Sequence, residues 1–541
     1  MKLKIASLFL LILATLSCEK VEQVDTVFYN AHFYTVDSLQ PQATVVAVKD
    51  RRIVAVGEDE LRSRFAAREE VDLDGAFVYP GFIDAHCHFY QLGLNESQLS
   101  LLGTQSFDEI IERLKAFDAE YHPSVLYAWG WDQNDWPVKE FPANAQLNEL
   151  FPDRPVLLRR IDGHAYLVND YALNLAGITP NTEVSGGAIL KKNQRLTGVL
   201  IDEPMGWVDA SLPDIDRASQ VRALLEAQDI AFENGLTTVN DAGLSRSVIE
   251  LIDSLQSTGD LKIRVYGMIS ASPEQLDYYL EKGPIKTPSL NVRSFKVYAD
   301  GALGSRGAAL KKPYSDQSDH FGAVVTPLEE IASIAERLAE SEFQMNTHAI
   351  GDSANYFVLD LYQRVLSNPM KARWKIEHAQ VVDPSDFDRF ADGIIPSVQP
   401  THATSDMYWA EDRLGPDRIK GAYAYQTMLQ KASLLALGTD FPVEQVSPLL
   451  TYYAAVARQD LEGYPEGGYF VEEGLTRMQA LKGMTTWAAY SNFEEGEKGM
   501  IRPGYYADFT ILAEDLLEAP LSVLPTIPIE GIVIGGDLVK K

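Results

Sequence analysis

A chain of 541 residues has room for two or three units of ordinary domain size. With 46% hydrophobic and 23% charged residues, no low-complexity tract and no fixed-period repeat, it is neither a disordered nor a fibrous protein. A formal net charge of -30 argues against a nucleic-acid partner, which needs basic clusters to pair with phosphates, and fits a soluble acidic surface.

The chain begins MKLKIASLFLLILATLSCEK. Lys2 and Lys4 precede a short apolar core, Ile5 to Leu13, too short to span a bilayer and suited to a signal peptide over residues 1–17. Ser17-Cys18 at its end resembles a bacterial lipobox, although Thr15 and Leu16 are exchanged relative to the usual order. The expectation is an exported protein, facing the periplasm or cell exterior and attached to the membrane through a lipidated Cys18. Simple secretion after cleavage near Cys18 is the alternative. With Cys18 lipidated, Cys87 would have no disulfide partner, and stability would rest on the core.

Residues 24–80 alternate β-branched and aromatic positions with polar ones, as short strands do. Asp50-Arg51-Arg52 and Asp74-Gly75 look like hairpin tips. Residues 500–541 have the same character, so the two chain ends are expected to build one composite β domain.

Between them, residues 81–499 alternate short apolar runs with amphipathic stretches of helical length, the pattern of a parallel sheet. PGFIDAHCH and seven later runs give eight strands, the number of an α/β fold of the (β/α)8 barrel type. One strand-helix unit takes about 31 residues in such barrels. His86 and Asp241, near the ends of the first two strands, are separated by far more, so 90–215 is expected to be an insertion subdomain over the barrel mouth. It holds Trp129, Trp131, Trp136 and Trp207.

Six residues suited to metal binding lie near the C-terminal ends of predicted strands, where this fold places its active site: His86, His88, Lys296, His348, His378 and Asp440. His86 and His88, two apart in a strand, point to one face and can share an ion, and Cys87 points to the other. His348, His378 and Asp440 recur in phase with the barrel unit. Lys296 sits in a strand buried on both faces, where its charge must be neutralised or paired. Carbamylation, giving an anionic bridging ligand, and an ion pair with Asp300 are the two routes.

The motifs PGFIDAHCH, FKVYADGALGSRGA, NTHAIGD, IEHAQ, SVQPTH and LGTDFPV resemble the amidohydrolase superfamily. DGHAYLVND and the C-terminal GLTRMQALKGMTTWAAYSNFEEGEKGMIRPGYYADFTIL extend the likeness over about residues 25 to 541. The match is to the YtcJ-like branch that includes N-substituted formamide deformylases. The resemblance implies a metal-dependent hydrolase of a non-peptide C–N bond, with one or two divalent ions, usually zinc. His86, His88 and Asp440 would hold the more buried ion, His348 and His378 the second, and carbamylated Lys296 would bridge. Asp440 would take the proton from the attacking water and pass it to the leaving amine.

His164 follows the charged run Arg159-Arg160 and Asp162 and could contact the substrate carbonyl. His402, Asp300, Arg306 and Trp131 are further candidates for substrate binding. His32, His122 and His320 fit no motif and are expected at the surface. A dipeptidase or N-acyl amino-acid hydrolase on the same scaffold is the neighbouring alternative, and a non-catalytic exported lipoprotein the distant one. The partner expected is a small-molecule amide, with its identity and the oligomeric state open.

Overall fold

A computed structural model describes residues 21–540, so the leader and Cys18 lie outside the described residues. The apolar run before His86 forms the first barrel strand, Phe82–Cys87, buried at every position. Leu236–Leu244, Arg264–Ser270, Leu290–Tyr298, Gln344–Ala349, Lys375–His378, Ile395–Val398 and Ala436–Leu437 follow as the second to eighth strands, each parallel to the one before. Strands covered on both faces read as continuous apolar runs rather than alternating ones, which is why the eight are visible in the sequence. Backbone bonds from Asp440 N to His86 O (2.8 Å) and from His88 N to Phe441 O (2.8 Å) draw the eighth strand to the first. The fold is a (β/α)8 barrel with additional β structure.

The helices between strands show ordinary end signals. Arg246–Thr258 starts where the Ser245 side chain accepts from Val248 N and stops at Gly259, whose φ of 82° suits glycine. Its Val248, Ile249, Leu251 and Ile252 face the barrel core. Helix Phe89–Glu96 packs on Arg217–Glu233 within the helical layer, so the inserted structure begins only at Leu99–Ser100.

The insertion is a six-stranded sheet in the order Gly187–Lys192, Arg195–Asp202, Ala165–Val168, Val156–Arg160, Leu126–Trp131, Leu99–Ser100. Apolar clusters cover both faces, one around Trp131, Trp136 and Leu158, the other around Leu157, Tyr166 and Leu200.

Two further sheets lie outside the barrel. Arg52–Gly57, Val45–Lys49, Glu22–Tyr29 and Phe65–Asp72 form one. The other runs Asp537–Lys540, Ile529–Ile534, Phe509–Leu512, Phe77–Pro80, His32–Tyr34, Gln42–Ala43, so three strands from each chain end join side by side in it, meeting where Phe509–Leu512 pairs with Phe77–Pro80. Phe28, Val46, Val78, Phe509 and Val533 join the two sheets in one apolar cluster. Asp50 and Arg51, at φ 52° and 67°, close a two-residue hairpin between Val45–Lys49 and Arg52–Gly57. Asp74-Gly75 is not a hairpin tip. Its positive φ values instead turn the chain from the first sheet, where Phe65–Asp72 runs parallel to Glu22–Tyr29, into the second.

Candidate metal centre

The histidines at the C-terminal ends of the barrel strands converge. Ring centroids lie 4.8 Å apart for His86 and His378, and 4.7 Å for His348 and His378. Neighbouring groups fix which ring nitrogen carries hydrogen. His86 Nδ1 donates to Glu377 Oε2 (2.6 Å), His88 Nδ1 to the Ala242 carbonyl (3.1 Å) and His378 Nδ1 to Gln399 Oε1 (2.8 Å). Each partner oxygen can only accept, so Nε2 is left as the lone-pair nitrogen of all three rings.

Asp440 is the common neighbour. Its Oδ1 lies 3.6 Å from His86 Nε2 and 3.4 Å from His88 Nε2, and its Oδ2 lies 3.7 Å from His402 Nε2. Burial opposes its charge. The nearby His88, His378 and His86 rings nevertheless hold the carboxyl well below the ordinary range. His378 and Asp440 have φ values of 72° and 64°, sparsely populated backbone that neighbouring structure must hold in place. Asp84 does part of this. It accepts from His86 N (3.1 Å), Thr439 N (3.1 Å) and Thr439 Oγ1 (2.7 Å), tying the first strand to the eighth.

Two groups have the donors for an ion, their ligand atoms all within 4.8 Å of one another: His86, His88 and Asp440, and His378, His402 and Asp440. The chemistry fits a divalent metal: imidazole nitrogens and a shared ionised carboxylate. Among the described residues His348 Nε2, His402 Nε2 and Asp440 Oδ1 are also buried without a hydrogen-bond partner, which is costly for groups with nothing to bind. His402, expected to line the pocket, stands in the second group; His348 and Lys296 stand in neither. The first turn of helix Pro400–Asp406 stacks the His402 ring on His378 at 6.1 Å. Lys296 Nζ lies 3.0 Å from His86 Nε2, and burial lowers its pKa to about 8 against the pull of Glu377 and Asp440. Burial likewise pushes the His348 and His378 rings well below their ordinary value.

The cavity above this cluster, of about 210 Å³, is roofed by Asp132, Arg160 and His164 of the insertion. His164 Nδ1 donates to Asp202 Oδ1 (2.6 Å). Burial opposes its charge, but Asp202, Asp162 and Asp300 raise its pKa above the ordinary value.

Three expected pocket residues are outside the cavity lining, although Asp300 Oδ1 stands 3.7 Å from His348 Nε2. Asp300 is buried and accepts from the N–H groups of Ala309, Ile350 and Gly351 (2.8, 2.9 and 2.8 Å), so it holds two loops together. Arg306 pairs with Asp316 at 2.7 Å, outside the cavity lining. Trp131 is fully buried in the core of the insertion, its Nε1 donating to the Leu158 carbonyl (2.8 Å), because its bulk serves that sheet. His320 is half-buried, not at the surface, with Nε2 donating to the Arg306 carbonyl at 2.7 Å. Cys87 packs among Phe89, Leu92 and Leu224.

Glu377 and Gln399 are functional residues that motif reasoning passes over. Strict alternation would turn Glu377 and His378 to opposite faces. The positive φ at His378 breaks that alternation, and both side chains reach His86.

Comparison with known proteins agrees with this geometry. The profile of the amidohydrolase family matches residues 69–540. YtcJ of Bacillus subtilis (strain 168) is 32% identical over 528 residues, covering 95% of this chain and 99% of its own. N-substituted formamide deformylase of Arthrobacter pascens is 26% identical over 542 residues, covering 95% and 98%. Among solved structures, a metal-dependent hydrolase from Pyrococcus horikoshii OT3 superposes with a TM-score of 0.76 at 27% identity, covering 92% of this chain and 99% of that one.

Proposed function

Because the chain belongs to the amidohydrolase family, we propose that it is a metal-dependent hydrolase of a non-peptide carbon–nitrogen bond, of the amide or formamide kind. The observation that carries this is the convergence of four histidines on one buried carboxylate, with His402 Nε2 and Asp440 Oδ1 lacking a hydrogen-bond partner among the described residues. His86, His88 and Asp440 would hold one ion, and His378 with His402 or His348 a second. Zinc suits this donor set, and such an ion supplies Lewis acidity towards a carbonyl and a water nucleophile at neutral pH.

The remaining chemistry belongs to side chains. Asp440, kept ionised by its histidines, accepts the proton of the attacking water and delivers it to the leaving nitrogen. His164, whose protonated form the Asp202 carboxylate favours against burial, donates to the carbonyl oxygen from the cavity roof. Lys296, with its pKa lowered to about 8, has the neutral amine within reach that carbamylation requires. Export and lipid attachment through Cys18 belong to the same proposal.

The test is elemental analysis of purified protein together with turnover of simple formamides and acylated amines. Tightly bound divalent metal and loss of turnover on chelation are expected. Full activity in thoroughly metal-free protein overturns the proposal.

A further inference from the structure

The loop after the fourth barrel strand, ADGALGSRGA (299–308), carries three glycines. None of Gly301, Gly304 and Gly307 has a φ in the left-handed region, so backbone conformation does not require glycine there. Space does. A Cβ on Gly301 would come 2.5 Å from Asp202 Oδ2 and 3.1 Å from its Cγ, and one on Gly307 would come 3.1 Å from the same oxygen. A Cβ on Gly304 would come 3.3 Å from a terminal nitrogen of Arg160. The loop is therefore shaped to side chains of the insertion. It is also pinned: the buried Asp300 carboxylate ties it to Ile350 N (2.9 Å) and Gly351 N (2.8 Å), and Gly307 N donates to the Ala302 carbonyl (2.8 Å).

Asp202 is held from its own side as well. It joins strand Arg195–Asp202 to helix Glu203–Asp209 with φ 59° and ψ -118°, a conformation rare for any residue but glycine. An aspartate before a helix usually accepts from the first helical N–H groups, and this one does not. Its Oδ1 accepts instead from His164 Nδ1 (2.6 Å), and its own N–H donates to the His164 carbonyl (3.1 Å). Oδ2, the oxygen over the glycines, is buried and accepts no hydrogen bond among the described residues. Shape fixes one carboxylate oxygen and the imidazole fixes the other. With Nδ1 committed, Nε2 is the His164 nitrogen left for the cavity, where the ring packs on His348 with centroids 5.0 Å apart.

We propose that Asp202 is a positioning residue for His164, and that Gly301 and Gly307 form the seat that fixes it. The barrel loop, not the insertion alone, then sets where the roof histidine stands above the metal cluster. The effect on turnover rests on the hydrolase reading, while the placement of the ring is read without turnover.

The experiment compares wild type with Gly301→Ala, Gly307→Ala, Asp202→Ala and the Gly301→Ala/Asp202→Ala pair. Metal content, turnover of a simple formamide and the imidazole N–H resonances of protein carrying isotope-labelled histidine are measured in each. The resonance that His164→Gln abolishes identifies His164 Nδ1–H. It should vanish in Asp202→Ala and shift in both glycine variants. Gly301 also lies beside His348, so Gly307→Ala repeats the test with a gentler push, and there the other imidazole resonances and the metal content should stay unchanged. In Gly301→Ala, kcat/KM should fall on the order of 10²-fold, the scale of an ångström of misplacement in an active site. In the Asp202→Ala background the same glycine substitution should cost nothing further, because the oxygen it strikes is gone. A full additional loss there, or a His164 resonance unmoved in the glycine variants, overturns the proposal. Movement of that resonance in a protein that hydrolyses no amide keeps the seat and removes the hydrolase reading.

Discussion

Asp440 and Glu377 are both buried carboxylates beside His86, and their geometry gives them different tasks. Asp440 faces the convergent ring nitrogens, whereas Glu377 holds the far nitrogen of His86. Asp440→Asn keeps the shape but cannot accept a proton. Turnover should fall by ~10²–10⁴ with metal largely retained, as steady-state kinetics with elemental analysis would show. Glu377→Gln leaves the reacting groups in place and weakens the bond that orients His86. Metal affinity should fall by about 10–100-fold in a competition titration with a chelator. Lys296→Ala separates the two routes for the lysine: a bridging ligand predicts that metal content falls with activity and that a short carboxylic acid restores part of both. A full metal complement in that variant would make the lysine structural. Of these residues, His86, His88 and Asp440 are legible from motif and spacing. Glu377 is not, because its role depends on a backbone torsion at His378 that no residue pattern announces.

At the scale of elements, one buried acid ties the chain's late helices to the barrel. Glu494, almost fully buried, accepts from Lys498 Nζ (2.9 Å) and from Lys286 in the short strand Ile285–Lys286. Burial works against its charge, yet the two ammonium groups hold its pKa at about 2, below the ordinary 4.5. A pKa depressed by folding stabilises the protein above the unfolded value, and the stabilisation disappears as pH falls through the folded one. That shift corresponds to about 3 kcal/mol. Wild type should therefore be more stable than Glu494→Gln at pH 7, and the gap should close between pH 4.5 and 2 in denaturant titrations. Trp131 belongs to the same scale. Its four-tryptophan neighbourhood suggests a binding wall, but an aromatic cluster reads identically in sequence whether it lines a pocket or fills a core. Burial against Trp136 and Phe141 settles the matter.

Over the whole molecule, strands from both chain ends share one sheet, with Phe509–Leu512 between Phe77–Pro80 and Ile529–Ile534. Removing residues 509–541 should expose the edge of Phe77–Pro80 and the faces of Phe28 and Val78, giving aggregation in place of a truncated soluble enzyme, as light scattering would report. Cys18→Ala should abolish labelling by a radioactive fatty acid while leaving the barrel intact, and an unlabelled wild type would mean simple secretion. The eight-strand barrel, its long interruption after the first strand and the phased histidines were determined by the sequence itself, because apolar runs and unit spacing are local properties of a chain. The tertiary structure alone decided which ring nitrogens meet at Asp440, that His402 joins them, and that Asp300, Arg306 and Trp131 do not line the pocket. Those outcomes depend on side chains hundreds of residues apart competing for the same few ångströms, and linear order carries no record of that competition.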